Sequence, residues 1–286
     1  MRCIENYHIH AVMGDLLAVT HQSKKTDHIL QQFSLAAPKL KYRFYHQSLV
    51  AATLKDVPHV DVALRSFFEK ETGYLVYHEL EQKQSLRVPQ TEDAFRPIFK
   101  QIVATIRQIH RRGIAHRDIR PKNILFTQET GPILRNFESA AFWDLSMNLT
   151  GVYGRKVYSA PEMITNKTYN GELADAWSLG VLLYEVLTGS LPFSNASRIE
   201  IIKGEAELKF NVPMSPLCKN FIQSILKHDP KERLHPRQML LHPWFAQGVS
   251  RSRSHIITSS VTPELQPRRS SAPESTISHT LSEFPN

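Results

Sequence analysis

Two stretches of helical periodicity, at about residues 95–109 and 175–188, bracket a polar run, HRDIRPKNIL, at 116–125. In the first stretch Phe95, Ile98, Ile102, Ile106 and Ile109 recur at three- and four-residue spacing, which predicts a helix with one buried face. The second carries Trp177, Leu179, Val181, Leu182, Leu183, Val186 and Leu187 and is apolar almost all round, the pattern of a helix central to a core. Ahead of both, residues 7–78 hold short β-like runs, YHIHAVM, LLAVT, HILQQF and YLVY. A helical stretch at about Leu40 to Leu54 lies between the third run and the last. A β-rich part followed by a larger helical part predicts an α+β chain.

After Phe245 the composition changes. Residues 251–286 contain nine Ser, four Thr and four Pro but little aliphatic content, and such a segment buries too little apolar surface to offset its ordering entropy. The expected divisions are 7–78, 79–245 and a disordered Ser/Thr/Pro-rich tail at 246–286. Cys3 and Cys218 are the two cysteines, which excludes a disulfide framework and a zinc-ligand spacing. No apolar run reaches the roughly 18–20 residues of a membrane span, and MRCIENYHIH lacks the apolar stretch of a signal peptide. The expectation is therefore cytosol or nucleus, with no membrane partner. The net charge is +8, yet no aromatic-interleaved basic stripe points to nucleic acid.

In HRDIRPKNIL, Asp118 and Asn123 are five apart in a short loop after a helix. At that spacing a carboxylate that accepts a hydroxyl proton and an amide oxygen that ligates Mg²⁺ face one pocket. Ala160-Pro161-Glu162, DAWSLG at 175–180, Arg233 and HPWF at 242–245 follow in order. On these motifs the chain resembles the eukaryotic protein kinases, over about residues 7–245. Its helical half is most similar to the calcium/calmodulin-dependent and Snf1-like group, and the run from Tyr169 to Phe245 resembles the Tribbles pseudokinases. The resemblance implies a two-lobed fold: a small five-stranded N-lobe with one helix, a hinge near His78–Leu80 and a helical C-lobe. It implies ATP and Mg²⁺ as cofactors and Asp118, Arg120 and Asn123 as the catalytic set. Gln31, Tyr77 (as gatekeeper), Glu79, Asn123 and Asn136 stand at nucleotide positions, with Asn123 and Asn136 at the metal positions. It also implies structural roles: Asp175 holding the loop backbone, Glu162 paired with Arg233, and His116 and Phe137 in a hydrophobic spine.

The departures fall on the phosphates and the metal. One glycine, Gly14, lies between Met1 and Thr72, where a phosphate-covering loop needs several. Gln31 stands where the phosphate-pairing lysine belongs; Lys24, Lys25, Lys39 and Lys41 lie before or beyond it. The helix glutamate that would orient that lysine is Ser48, or Gln47 if the register slips by one. Asn136-Phe137-Glu138 replaces the metal-binding triplet, and Asn136 offers an amide oxygen in place of a carboxylate. Arg155 replaces a threonine that bonds the catalytic aspartate, so Asp118 is expected to meet arginines on two sides. The expected function is a pseudokinase that scaffolds or regulates a kinase or a ubiquitin ligase, with ATP and Mg²⁺ binding weak or absent. The alternative is a Ser/Thr kinase with an atypical nucleotide site and Asp118 as base. In the tail, RRSSAP at 268–273 makes Ser271 a candidate ligand, once phosphorylated, for phosphoserine adaptors.

Overall fold

The computed structural model describes residues 3–247, apart from 79–83, 87, 89, 128, 144–147 and 166–167. The hinge residues Glu79 and Leu80 and the tail from 248 onward, including Ser271, therefore lie outside the described residues.

Strands β1 (Cys3–Ile4), β2 (Tyr7–Met13), β3 (Leu16–His21) and β4 (Asp27–Ser34) precede helix α1 (Pro38–Leu54). Strands β5 (Arg65–Glu69) and β6 (Thr72–His78) follow it. They form one antiparallel sheet in the order β1-β2-β3-β4-β6-β5. The sheet has six strands rather than the five expected, because β1 adds a two-residue edge. The turn between β2 and β3 is only Gly14-Asp15, with Met13 paired to Leu16 and Gly14 at φ +66°. Pro38 starts α1, which buries Phe44, Gln47, Val50, Ala51 and Leu54; Phe44 and Ala51 pack with Phe33 and Leu75 of the sheet, while Val50 and Leu54 join the core of the helical part. Helix and sheet approach closely at Gly73, where a Cβ would come within 2.8 Å of the Phe44 ring.

The second part opens with β7 (Gln84–Ser85) and α2 (Glu92–Arg111), followed by β8 (Ile114–Ala115), β9 (Ile124–Thr127), β10 (Gly131–Leu134) and β11 (Ala141–Phe142). Helices α3 (Pro161–Ile164), α4 (Gly171–Thr188), α5 (Arg198–Lys203), α6 (Pro216–Ile225) and α7 (Pro236–Met239) complete it. Thr91 caps α2 by accepting from the Ala94 amide, and Glu92 and Asp93 favour its positive end. Phe95, Phe99, Ile102, Val103, Ile106 and Ile109 are buried along one face, each contributing about 1.5–3 kcal/mol. Helix α4 is buried on all sides; Asn170 caps its start and Gly189, at φ +76°, ends it. Trp244 is fully buried among Phe99, Phe221 and Phe245 in an aromatic cluster. Among the described residues, no helix is long and apolar enough to cross a membrane.

Candidate functional site

The loop after β8 is held from below by α4. Asp175, fully buried, accepts the backbone N–H groups of His116 and Arg117 at 2.8 Å each, and His110 Nε2 lies 2.8 Å from Oδ2. Burial alone would push this carboxyl up; the hydrogen bond and charge of His110, with help from His116, outweigh it and hold it below the usual range. Burial lowers the His116 pKa, so its ring is neutral; Nε2 donates to the Arg135 carbonyl and Nδ1 accepts from the Asp118 amide. The ring sits edge-on to Phe137 at 4.8 Å. Arg117 spends its guanidinium on the carbonyls of Ser139 and Ala140 and the Tyr169 hydroxyl, and stacks 3.8 Å from the Tyr153 ring centroid.

Asp118, Arg120, Asn123 and Asn136 come together. Asp118 is 6% exposed. Its Oδ1 accepts from the Arg155 amide (3.1 Å) and Arg120 Nε (3.2 Å), and its Oδ2 from Asn123 Nδ2 (2.7 Å) and the same Arg120 Nε (3.3 Å). Three N–H donors, one of them shared between both oxygens, thus engage a carboxylate that offers about four acceptor positions. The expectation of arginines on two sides is corrected: Arg155 contributes its backbone N–H, and its side chain is exposed. The segment crosses that closely because residue 154 is glycine. Its φ is +70°, and a Cβ there would stand 2.5 Å from the Arg117 carbonyl and 2.7 Å from Asp118 Oδ1.

Asn136 holds a left-handed backbone (φ +64°, ψ +74°), which asparagine tolerates better than most residues. Its Nδ2 donates to Asn123 Oδ1 at 3.3 Å, so the two proposed metal positions satisfy each other. Glu138, the nearest carboxylate in sequence, is paired with Arg43 of α1 at 2.7 Å. Magnesium relies on one or two carboxylates plus phosphate oxygens. Two neutral amides, one of whose oxygens is already bonded, do not fit it. Among the described residues no group of three or more His, Cys, Asp or Glu side chains is placed to hold a metal.

Asn136 also lines a cavity of about 420 Å³ beneath the sheet, together with Leu16, Ile29, Gln31, Gln47 and Tyr77. Gln31 Nε2 donates to Asp15 Oδ2 at the hairpin turn (3.0 Å). The helix position resolves in favour of Gln47, not Ser48. Gln47 is buried in the cavity wall and accepts from the Tyr77 hydroxyl (3.3 Å), while Ser48 bonds back to the Phe44 carbonyl. Burial raises the Tyr77 pKa well above the ordinary phenol value, so the hydroxyl stays protonated. Lys24, Lys25, Lys39 and Lys41 are all exposed and none lines the cavity. The charges that do line it are Glu138, noted from sequence as the last residue of the altered triplet, and Asp61 and Arg135, which were not; Arg135 directly precedes Asn136, which is the one signal that marks it.

Away from the cavity, Arg233 and Glu162 form a two-pronged pair at 2.6 and 3.1 Å. The Arg233 side chain has no exposure; it also donates to the carbonyls of Leu173, Lys227 and His228 and lies over the Trp177 ring.

The protein kinase domain family matches residues 43–245. The maternal embryonic leucine zipper kinase of Xenopus tropicalis is 37% identical over 164 residues, 56% of this chain and 25% of that protein. CBL-interacting protein kinase 29 of Oryza sativa subsp. japonica is 35% identical over 162 residues, 56% of this chain and 36% of that protein. The human SNF-related serine/threonine-protein kinase is 35% identical over 164 residues, 56% of this chain and 21% of that protein. The chain thus spans between about a fifth and somewhat over a third of the length of these relatives. The match over most of its length, with the loop held by Asp175 and the pair Glu162–Arg233 where the motifs implied, places the chain in the protein kinase domain family.

Proposed function

We propose that this kinase-domain chain is a pseudokinase that acts by binding rather than by phosphoryl transfer, as its resemblance to the Tribbles proteins implied. The observation that carries the reading is the chemistry of the cleft. The positions for the lysine, its glutamate partner and the metal carboxylate are three amides, Gln31, Gln47 and Asn136, each making one hydrogen bond within the protein, with Gln47 Nε2 left without a partner. Phosphoryl transfer depends on fixed charges that position the phosphates and the metal, and these amides supply none. Asp118 is held by three N–H donors of the protein, which compete with a substrate hydroxyl for its oxygens. The partner this reading calls for is a signalling kinase or a ubiquitin ligase, in cytosol or nucleus, with phosphorylated Ser271 as a separate adaptor ligand. It calls for no nucleic acid and no membrane.

The test is thermal unfolding with ATP at millimolar concentration, with and without Mg²⁺ or Mn²⁺, followed by radiolabelled autophosphorylation. A Kd of ~0.1 mM stabilises the fold by more than ~1 kcal/mol under those conditions, a readily measured shift. The expected result is no metal-dependent shift and no label; a metal-dependent shift with incorporated phosphate overturns the reading. A second reading, an atypical Ser/Thr kinase, is favoured by one observation: Arg135 brings a cation to the cavity wall from a new position. Loss of label in Arg135→Gln and in Asp118→Asn is the result that reading requires.

A further inference from the structure

The last turns of α2, the first turn of α4 and the short α7 enclose a second cavity of about 360 Å³, lined by Arg107, His110, Arg111, Glu172 and Arg237. That volume is within the roughly 300–1,000 Å³ of small-molecule sites. Three of the five residues are guanidinium cations, and the single carboxylate is bonded by Arg237 at one oxygen, while its other oxygen has the His235 ring close by but no hydrogen bond. Glu172, 2% exposed at its side chain, accepts from Arg237 at 2.9 Å, and His235 Nε2 lies 2.8 Å from its other oxygen. Burial by itself would raise this carboxyl, but these two partners outweigh it and hold it at about 2, so it stays ionised and cancels one positive charge.

Arg107 and Arg111 remain. They stand four residues apart on one face of α2, where like charges repel, and neither makes a hydrogen bond or ion pair with any described residue. Arg107 is half-buried, so its charge is partly removed from water without compensation. Two buried polar atoms of the lining residues lack a hydrogen-bond partner, Glu172 Oε2 and one nitrogen of His110. The His110 side chain is 3% exposed, its Nε2 faces Asp175, and its Nδ1 has no hydrogen-bond partner. Such atoms are exceptions in folded proteins and mark places where a ligand or ordered water belongs.

We propose that this cavity is an oxyanion site for a phosphate monoester, gripped by Arg107 and Arg111 and walled by Arg237 and His110. Guanidinium forks match phosphate oxygens in geometry as well as charge, which an ammonium does not. The cavity is roomier than a bare phosphate requires, so it admits the group that carries the phosphate, whether a small molecule or a phosphorylated side chain. Through His110 the site shares the Asp175 carboxylate with the backbone of His116 and Arg117. Occupancy is therefore linked by one hydrogen-bonded residue to the loop that carries Asp118. The proposal does not depend on whether the cleft is catalytic.

The experiment titrates the full chain with sodium phosphate at constant ionic strength, chloride making up the balance, and follows thermal unfolding and the Nε–Hε resonances of the arginines. The expected result is a saturable rise in melting temperature with phosphate, and shifts at Arg107 and Arg111. Arg107→Gln/Arg111→Gln should retain its unliganded melting temperature and bind phosphate at least about tenfold more weakly, as loss of charge-assisted bonds requires. Arg198→Gln, an exposed arginine elsewhere, should bind as wild type. Parallel titrations with O-phosphoserine and with a phosphoserine peptide separate the two sources: tighter peptide binding assigns the site to a phosphorylated protein, equal binding to any phosphate ester. No saturation beyond chloride, unmoved arginine resonances, or undiminished binding in the double variant overturns the proposal.

Discussion

Arg233→Ala tests how this fold is anchored. The side chain has no exposure and makes five hydrogen bonds: two to Glu162 and one each to the carbonyls of Leu173, Lys227 and His228. Removing one partner of a buried ion pair costs about 3–5 kcal/mol, because the other charge is left in place without compensation. Three carbonyls lose a donor as well, and the Trp177 face loses a cation at 5.1 Å. The expected loss is therefore at the upper end, about 5 kcal/mol, against a total stability on the order of 5–15 kcal/mol for a native domain. Urea denaturation followed by tryptophan fluorescence reads it, since Trp177 lies directly under the guanidinium. Arg233→Lys keeps the charge but not the fork and should fall between. The paired apolar change Arg233→Met/Glu162→Leu should recover part of the loss, because neither charge is then left buried alone. A loss below about 1 kcal/mol in Arg233→Ala, with no coupling between positions 162 and 233, would refute the reasoning.

Restoring charge to the cleft with Gln31→Lys, Gln47→Glu and Asn136→Asp together should create metal-dependent ATP binding, measured by thermal shift. Asn136→Asp alone should give less, and a triple variant as inert as wild type would mean that the cleft is closed for another reason. Glu172 titrates at about 2 in the fold against 4.5 as its ordinary value, so its contribution is complete above pH 4.5 and fades as the pH falls toward 2. Up to about 3 kcal/mol is at stake. The stability gap between wild type and Glu172→Gln should therefore close across that window in urea melts, and a pH-independent gap would contradict the assignment. Gly154→Ala should loosen the crossing over Asp118, since a Cβ has no room there and φ +70° costs a non-glycine residue about 1–2 kcal/mol. Faster amide exchange at Arg155 is the readout.

Helices α2 and α4 were legible because a buried face or a wholly buried cylinder leaves an apolar period that no loop imitates. Strand β5 was not: RSFFE pairs on one side only, and just its central residue is buried, so the alternation that marks a strand is masked by charge. The register of α1 was ambiguous for a related reason. Tyr42, Tyr45 and Leu49 are exposed, so apolar residues ring the helix and its phase cannot be read; a one-residue slip rotates the candidate side chain by about 100°. Gln47 rather than Ser48 is thus a tertiary fact. Asp118 and Asn123 could be set side by side from their spacing within one loop, whereas Asn136 was placed by the resemblance to the kinase triplet. What bonds Asp118 was not readable, since the Arg155 donor is a backbone amide, and every residue but proline has one. The Arg43–Glu138 pair, 95 residues apart, left no local trace at all.

The two-residue turn at Gly14-Asp15 has a kinetic consequence. With Met13 paired directly to Leu16, and Gln31 tied to Asp15, the hairpin beside the cavity has no slack to fold down over a guest. Enzymes that sequester substrates do so with loops that swing on microsecond to millisecond timescales, and closure then sets how long the guest stays. Here both strands of the hairpin are paired on either side within the sheet. Among the described residues, this hairpin therefore supplies no long loop that could swing over the cavity.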